Sequence, residues 1–133
     1  MNFKLIELNS FNDKSSTLVA IEKGINCPFE IKRSFYIFNV PQGISRGNHA
    51  NINSEFLFIA LQGQCKIKID DSQSKQEFIL NNPKQALYIN KMIWKEMFEF
   101  SSDCILLVFT NTYYDKKEYI YDYEEFLRSV SDT

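Results

Sequence analysis

Short apolar runs, broken by polar turn formers at intervals of about ten residues, make up most of this chain. Cys65-Lys66-Ile67-Lys68-Ile69-Asp70 alternates without a fault, which predicts a strand with one wet face. Residues 56–61 and 103–110 are almost wholly apolar and predict buried strands. Gln62-Gly63-Gln64, a short polar link containing glycine, reads as the turn of a hairpin between 56–61 and 65–70. Further strands are predicted at 3–8, 17–22, 30–39, 76–80, 86–90 and 93–100. Within 30–39, Ile31, Arg33, Phe35 and Ile37 share one face, and Ser34, Tyr36 and Phe38 share the other. Large apolar groups on both predict cover on both sides. Residues 9–16, rich in Asn, Ser and Asp, read as a loop.

Nine or ten short strands with turns between them predict an all-β barrel or sandwich. Only the C-terminal segment breaks the period. Over about 116–130, Tyr119, Ile120, Tyr123, Phe126, Leu127 and Val130 recur at steps of one, three and four. That spacing predicts one amphipathic helix packed on the outside of the β core. The 133 residues suit a single domain spanning 1–133, large enough to bury roughly two-thirds of its unfolded surface.

Composition narrows the class. Twelve Phe and seven Tyr give an aromatic share of 15%, which favours strands and a lined cavity or partner surface. A net charge of −2 with both signs interspersed excludes the basic footprint of a nucleic-acid binder. No apolar run reaches the ~20 residues needed to cross a bilayer, and no leader pattern opens the chain, so it reads as cytoplasmic and without a membrane partner. Cys27, Cys65 and Cys104 are odd in number and far apart, and read as buried small hydrophobes.

Candidate chemistry gathers at Arg46-Gly47-Asn48-His49-Ala50-Asn51, where the chain's one histidine enters a strand-like run. His49 and Asn51 are two apart, so on a strand they point to one face. An imidazole titrating near pH ~6.5 can take a proton and return it elsewhere. Asn51 can donate to an oxygen that becomes negative, and the guanidinium of Arg46 suits a phosphate. A surface ion pair is the plainer reading of Arg46. One histidine cannot supply the two or three imidazoles of a usual transition-metal site, so neither a metal nor another cofactor is expected. On 93–97, Lys95 shares a face with Ile93 and Met97, while Trp94 and Glu96 point the other way. Lys95 is then either an interior cation or a surface lysine above a core tryptophan. Tyr113-Tyr114-Asp115 either lines a pocket mouth or packs the helix.

These motifs, in order, resemble the sugar 3,4-ketoisomerase family. The resemblance rests on Lys32-Arg33-x-Phe35-Tyr36-Ile37, Val40-Pro41-x-Gly43, Arg46-Gly47-x-His49-Ala50 and the run from Phe56 to Gly63. It continues through Leu87-Tyr88-Ile89, Trp94-x-Glu96-Met97, Phe100-Ser101-Ser102-Asp103-Cys104, Tyr113-Tyr114-Asp115 and Glu118-Tyr119-Ile120. The similarity implies a cupin-type jelly roll acting without a metal on dTDP-4-keto-6-deoxyglucose. The carbonyl would move from C4 to C3 through an enediolate, toward 3-amino- and 3-acetamido-3,6-dideoxyhexoses of bacterial surface glycans. It also implies a homodimer with exchanged strands. On this reading His49 is the base, Asn51 an oxyanion donor, Arg33 and Arg46 hold the pyrophosphate or sugar oxygens, and Lys95 lends positive charge.

The chain departs from the family pattern at three places. The second histidine of its His-Ala-His is Asn51 here, Lys95 replaces the histidine of Trp-His-Glu-Met, and Ser15-Ser16 stand where an arginine-containing pair is usual. A carboxamide does not titrate, so His49 shuttles the proton alone, or the activity is altered or lost. Two other functions follow from that: a silent nucleotide-sugar-binding module, and a 4-ketosugar epimerase or tautomerase.

Overall fold

The computed structural model describes residues 2–13 and 15–131. Its strands are β1 (Phe3–Glu7), β2 (Ser10–Asp13), β3 (Ser16–Val19), β4 (Arg33–Phe38), β5 (Arg46–Asn51) and β6 (Phe56–Gln62). There follow β7 (Cys65–Asp70), β8 (Lys75–Leu80), β9 (Gln85–Ile89), β10 (Trp94–Phe98), β11 (Ile105–Thr110) and β12 (Tyr119–Ile120), with a final helix α1 (Tyr123–Ser131). Two five-stranded antiparallel sheets form, in the orders β1-β9-β6-β11-β4 and β12-β5-β10-β7-β8. This is the all-β sandwich that the strand spacing predicts, in the jelly-roll form that the family resemblance implies.

Alternation decides what packs where. Phe56, Phe58, Leu87, Ile89, Leu106 and Val108 from the first sheet meet Cys65, Ile67, Ile69, Leu80 and Met97 from the second in one core. The opposite side of β6, Leu57 and Ile59, is covered by Leu8, Cys27 and Phe29. Covered on both faces, β6 reads as an unbroken apolar run. Outside the second sheet, Trp94 packs against Tyr123 and Phe126 of α1, with Ala50 and Ile120 beneath. All three cysteines are buried and unpaired.

Three regions differ from the sequence reading. Ser10–Asp13 and Ser16 are strand where a loop is expected: β2 and β3 pair antiparallel, Phe11 faces Leu18, and the Thr17 hydroxyl donates to Asn12 Oδ1 at 2.8 Å. Local pairing overrides a turn-rich composition there. On β4 only one face is covered; Tyr36 and Phe38 stack on each other, 64% and 52% exposed. The helix is also shorter than the period over 116–130 predicts. Its first residues form a single 3-10 turn, Lys116–Glu118, followed by β12 pairing with β5. Asp115 caps that turn through Lys117 N, and Glu118 turns inward instead of lying on a helix face. Asp122 then starts α1, its side chain accepting from Glu124 N.

Candidate active site

Between the sheets lies a cavity of about 470 Å³, walled by β4, β5, β6, β10 and the segment at β12. Its charged and titratable lining includes Arg33, Arg46, His49 and Lys95, and its aromatic lining Phe35, Phe56, Phe58, Tyr119 and Tyr121. A hollow of about 550 Å³ lies elsewhere, beside Cys27, Glu55 and Tyr88. Its carboxylate is already engaged, since Tyr88 Oη donates to Glu55 Oε1 and Asn111 Nδ2 to Glu55 Oε2. The smaller cavity holds the titratable groups left open.

A bulge sets the position of His49. Lys95 pairs with His49, but its neighbour Glu96 pairs with Gly47, leaving Asn48 as the extra residue of β5. Gly47 and Asn48 both have positive φ, 87° and 58°. A Cβ on Gly47 would lie 3.0 Å from the Lys95 carbonyl oxygen and from Met97 Cε, so glycine meets both the dihedral and the space. Bulges of this kind re-aim side chains next to active sites. Here the imidazole lies 4.8 Å from the Tyr119 ring and 5.7 Å from the Tyr121 ring.

Burial, with the Lys95 charge adding to it, lowers the His49 pKa to about 4; Gly47, Asn51 and Glu118 oppose the shift. The ring is therefore neutral near pH 7. Its Nδ1 is buried with no hydrogen-bond partner. Lys95 is 2% exposed, and burial lowers its pKa to about 7, with Glu118 pulling the other way. Lys95 Nζ donates to Asn51 Oδ1 at 2.9 Å and sits 4.3 Å from the Phe56 ring centroid. Lys95 is thus the interior cation of the two readings. Asn51 is 1% exposed, and its Nδ2 is a second buried atom without a partner.

Two guanidiniums complete the cavity. Arg33 lies over the rings of Phe35 and Tyr114, 4.7 and 5.2 Å from their centroids. Arg46 is exposed on β5. Neither is paired with a carboxylate among the described residues, which leaves both for an anion.

All five residues singled out in the sequence therefore meet around one volume, four as lining and Asn51 behind Lys95. The period over 116–130 puts Glu118, Tyr119 and Tyr121 on a helix and gives none of them a place in the site. Glu118 Oε2 accepts from Ser54 Oγ at 2.6 Å, and Oε1 accepts from Ser54 N and Asn53 N. The alternation Tyr119-Ile120-Tyr121 was the available signal for a strand.

A neutral, half-buried imidazole faces a buried amine across one strand pair, with unpaired guanidiniums nearby, an arrangement chemically suited to moving a proton on an anionic ligand. Residues 1–131 match the family described as FdtA: WxcM-like, C-terminal, and the chain belongs to this sugar 3,4-ketoisomerase family. It is 38% identical over 131 residues to a TDP-4-oxo-6-deoxy-alpha-D-glucose-3,4-oxoisomerase from Aneurinibacillus thermoaerophilus, covering 98% of this chain and 94% of that protein. Its structure is similar to that of a TDP-fucose-3,4-ketoisomerase from Campylobacter jejuni, with a TM-score of 0.95 and 56% identity over 99% of this chain and 98% of the other. A 3,4-ketoisomerase from Thermoanaerobacterium thermosaccharolyticum, solved as a histidine-to-asparagine variant with TDP-4-keto-6-deoxyglucose, gives a TM-score of 0.94 at 35% identity, covering 98% and 95%.

Proposed function

We propose that this chain is a 3,4-ketoisomerase acting on a dTDP-linked 4-keto-6-deoxyhexose. The observation that carries this is the pairing of neutral, half-buried His49 with buried Lys95 in a cavity that also presents unpaired Arg33 and Arg46. The two arginines hold the pyrophosphate, which fixes the hexose against the inner wall. His49, neutral near pH 7, removes the C3 hydrogen as a proton, and the electron pair shifts toward the C4 oxygen. The positive charge of Lys95, desolvated beside Phe56, stabilises the resulting enediolate. The imidazolium then returns its proton to C4 as the carbonyl forms at C3. Asn51, behind the cavity lining, holds the Lys95 ammonium through Oδ1.

The product would feed an amination at C3, the class of reaction that consumes a 3-ketosugar on the way to surface glycans. Unpaired cysteines support synthesis in the reducing cytoplasm. Two features support a dimer with exchanged strands. The β2–β3 hairpin belongs to neither large sheet, and its Phe11 and Leu18 are 63% and 59% exposed.

Incubating the protein with dTDP-4-keto-6-deoxyglucose in deuterated water, followed by proton NMR, tests the assignment. The expected result is a 3-keto product with loss of the C3 proton signal from the substrate pool. Saturable binding with neither conversion nor deuterium uptake would establish the silent binding module instead. Exchange with no carbonyl migration would point to an epimerase.

A further inference from the structure

Moving a carbonyl from C4 to C3 displaces hydrogens on oxygen as well as on carbon. O4 must gain a hydrogen and O3 must lose one. His49, occupied with the carbon-bound proton, leaves both of those transfers unassigned. Asn51, behind the lining, does not titrate, and of the titratable residues that line the cavity beside His49 only Lys95 is buried.

Lys95 lies directly across the strand pair from His49, and its side chain enters the same cavity. The Nζ is held at 2.9 Å from Asn51 Oδ1, with the Ile93 carbonyl at 3.5 Å and the Phe56 ring face at 4.3 Å from its centroid. No carboxylate pairs with it among the described residues. Its neighbours supply few charges: His49 from β5, Glu118 from the 3-10 turn, neutral Phe56 from β6 and neutral Ile69 from β7, with Arg33 and Arg46 on the cavity wall. An amine fixed this way, facing the cavity and free of a salt bridge, can give up a proton and take one back. Resting on the ketoisomerase reading above, we propose that Lys95 is the second catalytic acid–base group of this site, serving the two sugar oxygens while His49 serves the two carbons.

The transfers balance without any co-reactant. In the first half, His49 takes the C3 hydrogen and the C–H pair becomes the C3–C4 double bond. The C4 carbonyl pair takes a proton from the Lys95 ammonium, leaving a neutral amine and an enediol. In the second half, that amine takes the O3 hydrogen, and the O–H pair closes the C3 carbonyl. The double-bond pair takes the imidazolium proton at C4. His49 ends neutral and Lys95 ends as the ammonium, as they began. Burial helps by bringing the lysine to about 7, where both of its forms are populated at working pH.

Initial rates of the full chain on dTDP-4-keto-6-deoxyglucose, taken between about pH 5.5 and 9.5, test this. Wild type is expected to lose kcat/KM on the alkaline side as Lys95 becomes neutral. Lys95→Arg keeps a positive charge that cannot titrate. It is expected to lower kcat by about 100-fold or more, to leave KM within about 3-fold, and to abolish the alkaline limb. Lys95→Ala is expected to recover activity with methylamine or ethylamine, in step with the basicity of the amine, and not with tetramethylammonium. A Lys95→Arg enzyme with kcat within about 3-fold of wild type and an unchanged pH profile would overturn the proposal. So would a Lys95→Ala enzyme that binds the sugar but answers tetramethylammonium as well as it answers amines, or answers neither. A wild type that never converts the sugar overturns both this role and the ketoisomerase reading; an active wild type with an active Lys95→Arg overturns this role alone.

Discussion

Glu118 and Lys95 are both buried charges beside the same stretch of β5, yet their surroundings are built in opposite ways. The carboxylate accepts from two backbone amides and the Ser54 hydroxyl, and Ser54 Oγ in turn lies 2.5 Å from Thr112 Oγ1. It ties the 3-10 turn and β12 to the start of β6. The amine has one strong partner, and that partner has an open Nδ2; the facing His49 has an open Nδ1. Each open polar atom costs about 1–3 kcal/mol in a dry interior. The contrast separates a charge whose hydrogen bonds are saturated from a charge flanked by polar atoms that lack partners among the described residues.

The comparison breaks most sharply at His49. Replacing it, His49→Asn, is expected to lower the rate of C3 proton exchange by about 1,000-fold or more, measured by NMR in deuterated water. The fold should survive, and with an acid-side gain. The wild-type ring titrates at about 4 when folded against 6.5 unfolded, so the folded state binds fewer protons between those values. Stability therefore falls as pH drops from about 6.5 to 4, and the variant should lack that fall in a series of thermal melts.

Glu118→Gln attacks the saturated cluster. It should cost about 2–3 kcal/mol in urea unfolding, by turning an amide group toward Ser54 where a carboxylate accepts. It should also move the alkaline limb of the activity profile to lower pH, because Glu118 raises the lysine pKa. The smallest effect is expected at Lys95→Met, which removes an open charge. The folded lysine titrates at about 7 against 10.5 unfolded, so its penalty is full below about 7 and gone above about 10.5. The methionine variant should be more stable than wild type at neutral pH by roughly 1–2 kcal/mol, within the range seen when buried ions are replaced by apolar groups. That gain should shrink as pH rises toward about 10.

Much of this contrast was legible in the sequence, though unevenly. Strands whose two faces differ, such as β7, declare themselves by alternation, and β6 does so by lacking it. β5 is invisible to that test. Arg46-Gly47-Asn48-His49 is polar on both sides because one side faces the cavity, and its bulge breaks the period. His49, Lys95, Arg33 and Arg46 could be found because charged or titratable residues interrupting strand-like runs need a reason to be there. Glu118 could not. Its partners, Asn53 and Ser54, are far away in sequence, and a glutamate in Asp115-Lys116-Lys117-Glu118 looks like any solvated charge. Tyr119 and Tyr121 were lost for a related cause, since three- and four-residue steps around them mimic a helix that begins only at Tyr123.

The cysteines give the fold a built-in clock. Cys65 and Cys104 lie in the core between the sheets and Cys27 under the outer face of β6, and burial pushes all three thiols above their ordinary range. A thiolate is the species that reacts, so the native molecule offers almost no nucleophilic sulfur. Alkylation can then proceed only through opened molecules, and its rate reports how often each layer parts. If the outer cover over β6 opens without the sandwich, Cys27 will label before the other two. If the layers separate together, all three will share one rate.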